Sequence, residues 1–183
     1  MFSRINILRI ISGHLNTLRS LNQNKDSKSI YLPDFLLFFL FPLLLSGILT
    51  YNGIELLTQV SNLIAAISIL GGFLFNFLAI IYGAMDKLKE DIAKAGVNNS
   101  LIEFKKIFIK EIHSNISYCI LLSIFTVTFL VIYSYNFPCT LFYTIVKQIL
   151  LFINYFLLIH FLLSLLMVLN RTYILLKKDI EEN

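Results

Sequence analysis

The sequence predicts an all-α integral membrane protein: four transmembrane helices, an N-terminal amphipathic helix and a short helical hairpin outside the bilayer. Three observations predict it. The 183-residue chain is 57% hydrophobic and 14% charged with a mean hydropathy of +0.79, a balance that leaves too little polar surface to wrap a water-soluble core. Segments 33–51, 57–84, 116–135 and 142–170 are apolar over the ~20 residues that a helix needs to cross hydrocarbon at ~1.5 Å per residue. The basic residues are also sorted. Of 15 Lys and Arg, 14 fall in residues 1–32, in the 85–115 loop or in the 171–183 tail, and none in the loops around 51–56 and 136–141. Positive charge is retained on the inner face of a membrane, so both termini and the 85–115 loop are expected in the cytoplasm.

Residues 1–22 form the amphipathic helix. Ile5, Leu8, Ile11, Leu15 and Leu18 make one apolar stripe, with Arg9, Asn16 and Ser20 off it. Such a helix lies in a membrane interface or docks on a protein, and the pattern alone leaves both open. The polar linker NQNKDSKS follows. Pro33 suits the first turn of span one, and Pro42 predicts a kink within it. With the apolar run starting only near Phe35 and no small-x-small cleavage site after it, this span is expected to stay attached as a helix. Span two continues outward through MDKLKEDIAKAG, with Gly96 as its stop. Ser100 and Glu103 then make a capping box that starts the next helix. There Leu101, Phe104, Phe108 and Ile112 share a face, while Lys105, Lys106 and Lys110 lie off it as the expected partner surface, unless the hairpin is only a solvated connector. The rest, 171–183, reads as a cytosolic tail.

Span two carries a stripe of small residues, Ser61, Ala65, Ser68, Gly72, Asn76, Ala79 and Gly83, at steps of three and four. In lipid, apolar surface does not drive helices together. Close packing over small residues does, helped by polar side chains. The stripe predicts a helix-packing seam, within one chain or between copies, with Asn76 as interhelical glue and Leu74 facing lipid. Span four carries a candidate polar path: Lys147, Asn154, His160 and Ser164. Lys147 can snorkel to the outer end, Arg171 is expected at the interface, and His160 alone near the membrane centre. Its bland role is a neutral imidazole bonded to a neighbouring helix; its sharper role is a proton path.

No catalytic residue, cofactor site or metal site is expected. The chain lacks a nucleophile–His–acid set, a His-Glu-x-x-His pair and a phosphate-binding glycine loop, and His14, His113 and His160 lack metal-ligand spacing. Cys119 and Cys139 are separated by ~30 Å of helix, beyond disulfide reach. The net charge of +4 favours anionic membrane lipid over direct nucleic-acid binding.

The stretches YLPDFLLFFLFPLLLSGI and SILGGFLFNFLAIIY, followed by a lysine-rich helix, resemble small four-span proteins of bacterial phage-defence loci, in particular the membrane subunit of the Kiwa system. The likeness covers most of the chain as topology. It implies a tetrameric inner-membrane subunit that senses phage attack and holds a DNA-binding cytosolic partner, and it carries over no site residues. The expected function is a non-enzymatic membrane scaffold or sensor that forms a homo-oligomer and docks a soluble cytosolic protein. The alternative is an oligomeric pore or ion channel that perturbs the membrane.

Overall fold

A computed structural model describes residues 6–18, 32–95, 100–135 and 141–181. Its elements are α1 (Ile7–Thr17), α2 (Leu32–Phe35), a π-helical turn (Leu36–Leu40), α3 (Phe41–Tyr51), a 3₁₀ turn (Leu57–Gln59), α4 (Val60–Ala95), α5 (Ser100–Ser134) and α6 (Leu141–Glu181). No strand occurs among the described residues. Among the described residues, four apolar helices are long enough to cross a membrane: Pro33–Tyr51, Leu57–Glu90, Ile102–Ser134 and Phe142–Lys178. The chain is a multi-pass, all-α membrane protein. Gly96 and Cys139 lie outside the described residues.

The central element is α5. It packs along α4 on one flank and α6 on another; α3 packs on α6, and α1 lies on α5. The apolar core has two parts. One, toward the 51–56 loop, joins Leu56, Val60, Ile67, Leu130, Leu151 and Tyr155. The other, toward the basic segments, joins Leu74, Ile81, Ile109, Ile112, Ile116 and Phe161. We call these the loop end and the basic end.

Local chemistry explains the breaks. Asn6 caps α1, its Oδ1 accepting from the Arg9 N–H at 3.1 Å. At the other end of the first span, Gly53 takes φ +66°, the Gly53 N–H donates to the Thr50 carbonyl and the Ile54 N–H to the Leu49 carbonyl. These bonds satisfy carbonyls that the end of α3 leaves open, in a left-handed turn that glycine enters without strain. Pro42 acts through its missing N–H. In α-helical register it would leave the Phe38 carbonyl without a donor, and the chain widens into the π turn just before it.

Two expectations are corrected here and one open choice is narrowed. Leu74 does not face lipid; it is 4% exposed in the core between α4 and α5. All seven seam residues, Ser61, Ala65, Ser68, Gly72, Asn76, Ala79 and Gly83, are exposed, so among the described residues the stripe is not covered by another helix of the chain, which leaves the alternative of a seam between copies. The close intrachain approach is one residue away: a Cβ on Gly71 would meet Ser123 Oγ at 3.0 Å, whereas one on Gly72 meets nothing within 4 Å. A one-residue step turns the helix by about 100°, enough to exchange the two faces. Finally, segment 171–181 continues α6 as helix rather than forming a separate tail. Leu175 packs on the basic-end core, and Lys178 Nζ sits 3.7 Å over the Phe104 ring, so three helices extend at that end.

Candidate functional site

The basic end encloses a polar cluster built from four elements, α1, the π turn, α5 and α6. It starts with α1, whose packed side only partly follows the predicted stripe: Ile11 and Leu18 of the stripe pack inward beside the polar His14 and Thr17, while Leu8 is 77% exposed. Where α1 crosses α5, a Cβ on Gly13 would meet Ser114 Oγ at 2.6 Å, so any larger residue there forces the Ser114 hydroxyl to turn away. The crossing brings the His14 ring onto Tyr118, stacked at 3.9 Å and 10°. His14 Nδ1 is 2.9 Å from Asn115 Oδ1, and the Thr17 hydroxyl is 2.7 Å from the same oxygen and from the His14 carbonyl. An amide oxygen only accepts, so His14 Nδ1 carries the proton. Burial holds the His14 imidazole down to about 4, outweighing the Asn115 bond, with His160 and Arg171 pushing the same way.

His160 of α6 completes the middle of the cluster. Its Nδ1 is 2.8 Å from the Phe38 carbonyl and its Nε2 is 2.8 Å from the Tyr118 hydroxyl. The carbonyl can only accept, so Nδ1–H donates to it and Nε2 accepts from Tyr118. The imidazole therefore supplies the donor that Pro42 cannot give to Phe38. In a membrane, a helix broken by proline is repaired by its neighbours in this way. His160 lies level with Phe38, in the π turn of the first span. His14 and His160, 146 positions apart in sequence, have ring centroids 6.4 Å apart.

Arg171 closes the cluster from α6. Its side chain is 11% exposed; Nη1 pairs with Glu111, itself 18% exposed. Nη2 donates to the Thr17 carbonyl at 2.7 Å, filling one of the acceptors at the end of α1. A cavity of about 400 Å³ opens beside it, lined by Asp34, Phe38, Phe108, Met167 and Arg171. Ser164 is fully buried on the same side of α6 as His160.

The remaining members of the predicted path sit apart. Asn154 Nδ2 donates to the Leu150 carbonyl at 2.8 Å and the Phe129 carbonyl at 3.3 Å, bridging α6 to α5. Lys147 does not merely reach for solvent: it pairs with Glu55 at 3.1 Å across the loop end. The three predicted surface lysines also diverge. Lys105 lines a groove with Ile80 and Leu176, Lys110 lines one with Arg9, and Lys106 is exposed between them. Cys119 is a buried free thiol in the core. Among the described residues, no three His, Cys, Asp or Glu side chains converge.

Sequence reasoning missed Glu111, Asn115, Thr17 and the pairing role of Tyr118. The available signal was an excess of polar residues at helical spacing, Glu111, Asn115 and Tyr118 on α5 and His160, Ser164 and Arg171 on α6. No family model, curated protein or solved structure matches this chain.

Proposed function

We propose that the chain is a non-enzymatic scaffold or sensor subunit of the bacterial inner membrane, with both termini in the cytoplasm. It forms a homo-oligomer through the small stripe of α4 and docks a soluble protein at the cytosolic helical extension around Lys106, flanked by Lys105 and Lys110. Its place in an antiviral defence complex, as a tetramer, rests on the resemblance of its spans to phage-defence membrane subunits.

The observation that carries this reading is the exposed stripe. Seven small or polar residues line the outer face of α4 from Ser61 to Gly83. Asn76 in its middle is exposed and has no hydrogen bond among the described residues. An amide facing hydrocarbon is costly until a neighbouring helix bonds it, and small residues on both sides let that helix approach. The same stripe on a second copy is a suitable neighbour. The bonding of His160 and Asn154 to their own chain supports a scaffold over the pore reading, since those polar groups hold helices together.

Native mass measurement of the detergent-solubilised protein tests the proposal. The expected result is an oligomer that Gly72→Leu or Asn76→Leu dissociates into folded monomers. A monomeric wild-type protein would overturn it. Robust currents in planar bilayers that need His160 would favour the pore instead.

A further inference from the structure

We infer that the groove between α1 and α5 binds the phosphate of an anionic phospholipid, drawn from the leaflet at the basic end. The groove has a volume of about 510 Å³ and is lined by Arg9, Ser12 and Asn16 from α1 and by Lys110, His113 and Ser117 from α5, among others. Its lining includes no Asp or Glu. Glu111, about 100° round α5 from Lys110, is taken by Arg171 instead and does not line the groove. Neither Arg9 nor Lys110 forms an ion pair among the described residues. Two unneutralised cations, with the Ser12 hydroxyl and the Asn16 amide, present donors from both sides of one cleft, the arrangement that phosphate oxygens accept, while the Ser117 hydroxyl donates to the His113 carbonyl at 2.9 Å.

The surface above the groove identifies the source of the phosphate. Ser117, Leu121, Ile124 and Thr128 follow at steps of four, three and four and so share one face of α5. Along it, Ile124 is 55% exposed and the adjoining Phe125 37%. The polar cleft therefore opens at the end of an apolar track that runs into the spanning part of α5. A headgroup in the cleft places its acyl chains on that track; a soluble phosphate gains nothing from it. Basic pockets at the ends of spanning helices recognise anionic lipid in this manner. Because the cleft has one wall on α1 and one on α5, a bound lipid also ties α1 to the bundle, by preferring the docked state.

The test uses the full chain in mixed micelles holding equal amounts of phosphatidylglycerol and phosphatidylcholine, with retained lipid read by native mass spectrometry. Phosphatidylglycerol is expected in about tenfold excess over phosphatidylcholine on the wild type. Arg9→Gln with Lys110→Gln should erase that excess, whereas Arg9→Lys with Lys110→Arg should keep it. The control Lys87→Gln with Lys177→Gln removes the same charge elsewhere and should also keep it. Protease protection of α1 in each variant reports that the groove is assembled. Equal retention of the two lipids by the wild type overturns the inference, as does an equal loss in the control. Competition by glycerophosphoglycerol as effective as by the diacyl lipid would reassign the groove to a soluble phosphate and overturn the lipid assignment.

Discussion

At the loop end, α4, α5 and α6 meet through Leu56, Val60, Ile67, Leu130 and Leu151, and an ion pair there, Lys147–Glu55, stays at the surface. At the basic end the same three helices, joined by α1 and the π turn, enclose two histidines, an asparagine and the Arg171–Glu111 pair. The contrast follows from what lipid can and cannot discriminate. Leu against Leu is nearly as good as Leu against an acyl chain, so the loop end is specified by shape alone. A buried charge or a freed carbonyl has few acceptable partners. The basic end therefore fixes which helix meets which, and at what height, and leaves high costs if one partner is removed.

The largest expected effect breaks the buried pair. Arg171→Leu leaves Glu111 unpaired in the core and opens the last carbonyls of α1, and should destabilise the protein by ~3–5 kcal/mol. Thermal unfolding in detergent reads it, and adding Glu111→Leu should return most of the loss. A small effect of Arg171→Leu alone would mean that the pair is hydrated.

Next in size is acid. His14 is held down to about 4 when α1 is docked, against 6.5 when α1 is free. A base whose value is depressed by burial binds more protons in the undocked state, so docking is fully stable above 6.5 and loses stability as the pH falls from 6.5 toward 4. The total is ~3 kcal/mol, and His14→Phe should flatten the profile in that window. Protease accessibility of α1 between neutral pH and pH 4 measures it; a flat wild-type profile would remove His14 from the cluster's energetics.

A third change tests the repair of the π turn. His160→Leu deprives the Phe38 carbonyl and the Tyr118 hydroxyl of partners and should cost ~1–3 kcal/mol. Pro42→Ala returns an N–H to the helix, so the loss from His160→Leu should shrink in that background. Additive losses in the double-mutant cycle would show that Pro42 and His160 act separately.

The smallest effect is at the loop end. Lys147→Gln breaks a pair whose side chains are 27% and 57% exposed, and the expected cost is below ~1 kcal/mol. A loss as large as that of Arg171→Leu would erase the distinction between the two ends.

Much of this molecule was legible in its sequence because hydrocarbon thickness and backbone hydrogen bonding leave few solutions. Runs of apolar residues such as 33–51 and 57–84 have to be helices in lipid, and the segregation of Lys and Arg gives the bundle two chemically different ends. The proline at 42 likewise announced a disturbed helix, though not its form as a π turn. Tertiary structure alone decided which face of each helix turns inward. Leu74 and Gly72 sit on the same apolar helix, and hydrophobicity does not tell the core from lipid there. Only the packing of α4 on α5 through Gly71 and Ser123 puts Leu74 inside and Gly72 outside. It also decided the partners of His14, Glu111, Asn115, His160 and Arg171, which lie on three different helices. Each residue reads singly as an isolated polar side chain, and a buried polar group acquires its meaning from the partner that satisfies it.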